Sequence, residues 1–267
     1  MKTKKAMKIL RKIHLWLAMP FGIVISIICL TGALLVIEKP VTRMLYPDFY
    51  NEVPVTHAQN SPYTTQGSPL TVGTSHDVPE NRQKELHKVE KPKKKRLPFF
   101  RKVMQLHRWL LDPPAKKGEK SVGKIIVGLS TVAFVFTLIS GMFIWWPRNA
   151  KVLRNRLSVK FRKGWRRFLL DAHVSLGFWV FVFLLLMALT GLTWSFQSYR
   201  DVFYSLLSCC GTREEVRRLV MSLHTGSWGG VFSQTIYFIS AIIGATLPLT
   251  GYYLWWKRIR NNKVRGK

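Results

Sequence analysis

His173-Val-Ser-Leu-Gly-Phe-Trp179 runs without a charged residue into Thr190-Gly191-Leu192-Thr193-Trp194, and the reading of this stretch decides the fold. From 174 to 196 the chain is apolar and long enough to cross a bilayer as a helix, which takes about 20 residues. The same pattern occurs once before. His14-Leu15-Trp16-Leu17 leads to Thr31-Gly32-Ala33, and an offset of 159 residues lays His14 on His173, Leu17 on Leu176, Thr31 on Thr190 and Gly32 on Gly191. A second pair matches at an offset of 110, Ser140-Gly141-Met-Phe-Ile-Trp145-Trp146-Pro-Arg148 with Thr250-Gly251-Tyr-Tyr-Leu-Trp255-Trp256-Lys-Arg258. Internal repetition is read before anything else. It yields two tandem halves, each a His-first helix followed by a helix that ends in Trp-Trp.

Four segments, 15–37, 122–146, 174–196 and 231–256, have the length and composition of membrane spans. None holds an Asp, Glu or Arg, and Lys124 lies at an end where its ammonium can snorkel. The first segment is read as a span and not as a cleaved signal, because its apolar core is too long and no small-x-small site follows it. The expected fold is therefore all-α: a polytopic four-transmembrane-helix bundle built from two tandem two-helix repeats.

Charge supplies the orientation. The net charge of +29 would suit nucleic acid in a soluble protein, but here the basic residues sit beside the spans. Residues 1–14 hold 6 Lys/Arg, 147–172 hold 9 and 257–267 hold 6, against the single acid Asp171; the loop 197–225 holds 4 basic and 3 acidic residues. The positive-inside rule then places both termini in the cytoplasm. On this reading 1–37 is a basic lead-in plus the first span, and 38–121 an extracytoplasmic loop, irregular over 41–90 and amphipathic over 97–111. The span 122–146 follows, then a basic cytoplasmic loop 147–173, the span 174–196, an extracytoplasmic amphipathic segment 197–230, the span 231–256 and a basic cytoplasmic tail 257–267. The lipid bilayer is the partner these charges fit, and nucleic acid is not. Cys29 reads as a small packing residue, and no Cys-x-x-Cys-His occurs for covalent haem attachment.

The chemistry-bearing residues follow the repeat. Of seven histidines, His14 and His173 open the rising helices, while His107 and His224, each preceded by Leu, come before the descending ones. That places two imidazoles at each face of the membrane, which is what a six-coordinate b-type haem requires; bundles build such sites from facing helices. Gly32 follows His14 by 18 residues, a whole number of helical turns and about 27 Å of rise. Gly191 stands in the same relation to His173. Gly141 and Gly251 lie towards the inner ends of the descending helices, so a flat macrocycle could rest against bare backbone. The reading is one haem b per leaflet, two in all, with His14 and His173 ligating one iron and His107 and His224 the other. Plainer roles stand beside this: histidines at helix ends as interfacial groups, glycine stripes as packing surfaces, the Trp pairs as an aromatic belt, Arg148 and Arg258 as topology signals or propionate partners. His57, His76 and His87 fall in the polar loop. No Gly-x-Ser-x-Gly, His-Glu-x-x-His, phosphate loop or dinucleotide fingerprint occurs, and acidic residues are too few and too peripheral for paired-carboxylate chemistry.

Taken together, Leu-Thr-Gly-Ala-Leu-Leu after His14, Ser-Gly-Met-Phe-Ile-Trp-Trp-Pro-Arg, Ala-Leu-Thr-Gly-Leu-Thr-Trp-Ser-Phe after His173, Leu-His-Thr-Gly and Thr-Gly-Tyr-Tyr-Leu-Trp-Trp-Lys-Arg resemble bacterial PepSY-associated transmembrane proteins. The resemblance implies an iron-regulated protein of the bacterial cytoplasmic (inner) membrane. It implies a di-haem oxidoreductase that takes electrons from a cytoplasmic donor and reduces ferric siderophore on the periplasmic side, alongside a TonB-dependent uptake system. The family's histidine positions match His14, His107, His173 and His224. Longer members carry folded PepSY domains outside the membrane, whereas 41–90 is polar and irregular. Two readings from other classes remain: a non-enzymatic accessory or transport subunit of iron uptake without haem, and an anchoring protein acting through its basic amphipathic surfaces.

Overall fold

The computed structural model describes residues 2–47, 96–114, 121–147, 149–160 and 164–265. It separates into two units, Met1–Glu38 with Pro98–Lys267, and Lys39–Leu97. Of the second unit the described part is chiefly the helix α2 (Glu38–Leu45). The stretch expected to be irregular over 41–90 therefore begins as helix, with Glu38 in the first turn where the helix dipole favours an acid. The rest of that stretch, with His57, His76 and His87, lies outside the described residues, as does Arg148.

Helices and short connections make up the described residues of the first unit. Its elements are α1 (Lys2–Val36), α3 (Pro98–Trp109), α4 (Val122–Trp145), α5 (Ala150–Leu157), α6 (Trp165–Ser195), α7 (Gln197–Leu206), α8 (Arg213–Thr225) and α9 (Gly230–Arg265). α1, α4, α6 and α9 are each long and apolar enough to cross a membrane. The chain is a multi-pass membrane protein. α1 packs along both α4 and α9, and α6 along the same two, so α1 and α6 occupy opposite corners of the bundle. Ile25, Phe134, Leu138, Val180, Leu184, Ala188 and Leu247 fill the centre. Large apolar side chains such as Ile23, Ile125, Phe136, Val182 and Ile239 point outward, a surface that only hydrocarbon covers at low cost. Cys29 packs beside Gly244, as a small residue would.

The helices outrun the hydrophobic segments. α1 begins in the basic lead-in and α9 runs on through the basic tail. The segment 147–173, expected as a loop, holds α5 and the first turns of α6. Asn149 caps α5, its side chain accepting from the Val152 N–H at 3.0 Å. Arg167 and Asp171 pair one turn apart at 3.0 Å in the opening of α6. Hydropathy marks only the portion of a helix that meets lipid, so such polar extensions escape it.

At the opposite end of the bundle, the junction between α3 and α4 fixes where His107 sits. Leu110 and Leu111 take positive φ (49° and 68°) and end α3. Asp112 then accepts from the Gly123 N–H at 3.0 Å and the Ser121 hydroxyl at 3.2 Å, closing the first turn of α4. A Cβ on Gly123 would stand 1.8 Å from the Trp109 carbonyl oxygen, so only glycine permits this approach. α8 is built in a similarly defined way, with a Thr212–Glu215 capping box at its start and Gly226 in the left-handed conformation after its end. Tyr204, Val216 and Val220, together with Trp194 of α6, make the apolar interior of this helical cap.

Candidate functional site

His14 on α1 and His173 on α6 lie at the end of the bundle where those two helices start. His107, in the last turn of α3, and His224, in the last turn of α8, lie where they finish. Each of the four imidazoles rests against a glycine of a neighbouring helix. A Cβ built on Gly32 would be 3.2 Å from His107 Cε1, on Gly141 3.3 Å from His14 Cε1, on Gly191 3.3 Å from His224 Cε1, and on Gly251 3.9 Å from His173 Cε1. The glycine stripes were expected to leave room for a macrocycle. What they directly accommodate is the edge of a histidine ring.

The hydrogen bonds repeat as faithfully. His107 Nδ1 lies 3.0 Å from the Ile28 carbonyl oxygen and 3.0 Å from Thr31 Oγ1. His14 Nδ1 is 3.1 Å from the Thr137 carbonyl and 3.0 Å from Ser140 Oγ. His224 Nδ1 is 3.0 Å from the Met187 carbonyl and 3.1 Å from Thr190 Oγ1. His173 Nδ1 is 2.8 Å from Thr250 Oγ1. In every case the hydroxyl belongs to the residue before the glycine, and for His14, His107 and His224 a carbonyl four residues before the glycine joins it. A helix carbonyl at that position already receives the glycine's own N–H; with no side chain on the glycine, it stays open to a second donor.

These partners settle the tautomer. Each hydroxyl donates its one proton to its own helix: Thr31 to Ile27, Ser140 to Thr137, Thr190 to Leu186 and Thr250 to Leu247. Towards the imidazole a hydroxyl so engaged can only accept, and a carbonyl accepts always. Nδ1 is thus the protonated nitrogen, assigned from the network, and Nε2 carries a free lone pair. An imidazole with Nδ1–H held by a carbonyl is the usual form of a metal-ligating histidine.

The pair at the α3/α8 end is largely buried. Burial lowers both pKa values to about 4, with the neighbouring His224 lowering His107 further and the Arg108 charge lowering both. Both rings are therefore neutral near pH 7, as ligation demands. Their centroids are 6.3 Å apart and the rings are inclined at 59°. Two imidazoles sharing one metal through Nε2, at about 2 Å each, have centroids about 6 Å apart. The spacing leaves room for one metal ion that both rings would hold. Trp194 meets His224 edge-on at 5.0 Å, and the Arg108 guanidinium, its own pKa lowered by burial, lies over Trp109 at 4.5 Å.

At the other end His14 and His173 line one cavity of about 800 Å³, within the range of small-molecule and cofactor sites, about 300–1,000 Å³. Gly141 and Gly251 line it as well, with Phe178 and Phe181 among its apolar walls and Arg11, Arg166 and Arg258 at its basic margin. Flat apolar walls with guanidinium groups suit a planar ligand bearing carboxylates. The Trp pairs divide here. Trp145 is buried against Phe178, the rings stacked at 3.9 Å and 12°, and Trp255 lines the cavity, whereas Trp146 and Trp256 are exposed. The aromatic-belt reading therefore fits only the second residue of each pair. Trp145 Nε1 is buried and has no hydrogen-bond partner among the described residues.

Among the described residues no group of three or more His, Cys, Asp or Glu side chains converges as a metal site. Each end offers two imidazoles, which is the axial set of a ring-bound iron. The hydroxyl residues Thr31, Ser140, Thr190 and Thr250 were not singled out from sequence as part of the site, although every glycine of the repeat has a Ser or Thr before it. That recurrence was the available signal.

The family model for the PepSY-associated TM region matches residues 11–209 and 204–258. Comparison with curated proteins and with solved structures gives no significant match. All four histidines, all four glycines, the whole of α4 and α6 and most of α1 and α9 fall within the matched residues, and the chain belongs to the PepSY-associated TM region family.

Proposed function

We propose that the protein is a di-haem b transmembrane electron-transfer protein of the bacterial inner membrane, reducing ferric siderophore or ferric iron on the periplasmic side. The observation that carries this reading is the fourfold Nδ1 arrangement, which leaves a bare Nε2 on each of two histidine pairs, one pair at each end of the bundle. His14 and His173 would hold one haem; His107 and His224 would hold the other. When bound, the haems would supply reversible one-electron chemistry.

The chain's own residues do the rest. The hydroxyls and carbonyls hold the imidazoles in their ligating tautomer. The apolar core between the two ends, centred on Leu184 and Phe134, excludes water. Arg11, Arg166 and Arg258 offer guanidinium partners for haem carboxylates at the His14/His173 end. The basic residues around α5 and both termini orient that end to the cytoplasm, where the electron donor would dock. The substrate, a ferric chelate, would accept the electron at the His107/His224 end. Reduction to Fe(II) weakens the hold of hard oxygen ligands on the iron and so favours its release.

The test is an absorption spectrum of detergent-purified protein with and without dithionite. A b-type spectrum is expected, with part of it lost in His173→Ala and a different part in His107→Ala. Colourless protein that still supports iron uptake would replace this reading with a haem-free accessory subunit.

A further inference from the structure

The four hydroxyls that face the histidines have no role in the reading of the sequence, and their placement gives them one. We propose that Thr31, Ser140, Thr190 and Thr250 are positioning residues, each working with the glycine after it as a socket that sets the orientation and donor strength of one ligating imidazole. This rests on the di-haem reading for its consequence, but not for its geometry.

A Ser or Thr inside a helix commonly turns its hydroxyl back onto a carbonyl one turn earlier, and all four do so here. That commits the proton and aims the oxygen lone pair sideways. The following glycine removes the side chain that would block the approach. An imidazole arriving from the neighbouring helix then meets the hydroxyl oxygen and, at His14, His107 and His224, a carbonyl oxygen as well, on one Nδ1–H. Two acceptors fix the ring plane better than one. They also draw the Nδ1 proton outward and make Nε2 the stronger donor. A stronger axial donor favours ferric over ferrous iron and lowers the reduction potential.

The four sockets are not equal. His107, His14 and His224 press on their glycines at 3.2–3.3 Å and hold carbonyl contacts of 3.0–3.1 Å alongside the hydroxyl. His173 stands off its glycine at 3.9 Å and has the shortest hydroxyl contact of the four, 2.8 Å. Its orientation depends most on the hydroxyl, so Thr250 is the socket residue whose loss is felt most. The sockets also sort by end. Ser140 and Thr250 serve the His14/His173 pair; Thr31 and Thr190 serve the His107/His224 pair.

The experiment is an equilibrium redox titration of haem-loaded protein, followed optically, for Thr250→Val and Thr190→Val with Thr250→Ser and Thr190→Ser as conservative partners. Thr250→Val is expected to move one of the two transitions to more positive potential and to weaken retention of that haem about tenfold. Thr190→Val is expected to move the other transition, by less. Each Ser variant restores the wild-type value, since it returns the hydroxyl without the methyl. Unchanged potentials in both Val variants, equal movement of both transitions in either one, or Ser variants that behave like Val would overturn the proposal. If the protein binds no haem, the di-haem reading fails separately, and histidine nitrogen NMR of the same protein decides the socket. Four imidazoles in the pure Nδ1–H form, with Thr250→Val converting His173 to a mixture, support it. Mixed tautomers in the unsubstituted protein refute it.

Discussion

Alanine in place of each site glycine separates a socket from a mere packing surface, because the four positions are alike in sequence and unlike in space. At Gly32 the added Cβ meets His107 Cε1 at 3.2 Å, where carbon atoms prefer about 3.5–4.0 Å. The ring must retreat by roughly 0.3–0.8 Å. It is pinned by Nδ1 contacts of 3.0 Å to Thr31 and Ile28, so retreat stretches both towards the limit of a useful hydrogen bond. Overpacking of this kind costs about 1–3 kcal/mol, and the better helix propensity of Ala returns about 1 kcal/mol. Gly32→Ala should therefore lie between neutral and about 2 kcal/mol destabilised. Gly141→Ala and Gly191→Ala, at 3.3 Å, should match it. At Gly251 the contact is 3.9 Å, which is ordinary van der Waals distance, so Gly251→Ala should keep the propensity gain and be more stable by about 1 kcal/mol. Thermal unfolding of the four variants in one detergent, read by tryptophan fluorescence, measures the gap; each kcal/mol moves the midpoint by about 2–4 °C in a protein of this size. The reasoning fails if Gly251→Ala loses as much stability as the other three, or if none of the four differs from the parent.

Two further expectations follow from the α3/α8 end. His107 and His224 have folded pKa values near 4 against an ordinary 6.5; a depressed value means stability is intact above pH 6.5 and lost as pH falls towards 4, by about 1.4 kcal/mol per unit for each histidine. Unfolding measured from pH 7.5 to 4.5 should show that slope in the haem-free protein, and His107→Phe with His224→Phe should flatten it; a slope that survives both substitutions contradicts the assignment. Asp112→Ala removes the acceptor of the Gly123 N–H and the Ser121 hydroxyl and should cost about 1 kcal/mol, as loss of a helix cap does; Asp112→Asn should recover part of it in the same unfolding assay.

Much of this architecture is written in the chain at the level of residue spacing. The four long helices are announced by uninterrupted apolar runs, and the histidines by their place at the ends of those runs. What spacing does not carry is the identity of the neighbour. His14 and Gly32 share a face of α1, yet nothing in that interval says that the first will lean on Gly141 and the second receive His107. Those are contacts between helices, fixed by how α1, α3 and α4 pack. The hydroxyls were missed for the same reason: Thr31 and Thr190 register as repeat markers until an imidazole is seen against them. The basic segment after Trp146 was expected as a loop because hydropathy responds to lipid contact, whereas α5 and the opening of α6 are held by a cap and an ion pair.

α1 and α6 are the elements that serve both histidine pairs. Each supplies a histidine to one pair and a socket to the other, whereas α4 and α9 supply only sockets and α3 and α8 only histidines. The interval from His14 to Gly32, and from His173 to Gly191, therefore acts as a gauge of both length and angle. One residue inserted anywhere within it would turn the two features about 100° out of phase and part them by about 1.5 Å. The composition of these intervals is free to drift among apolar residues, but their length is not.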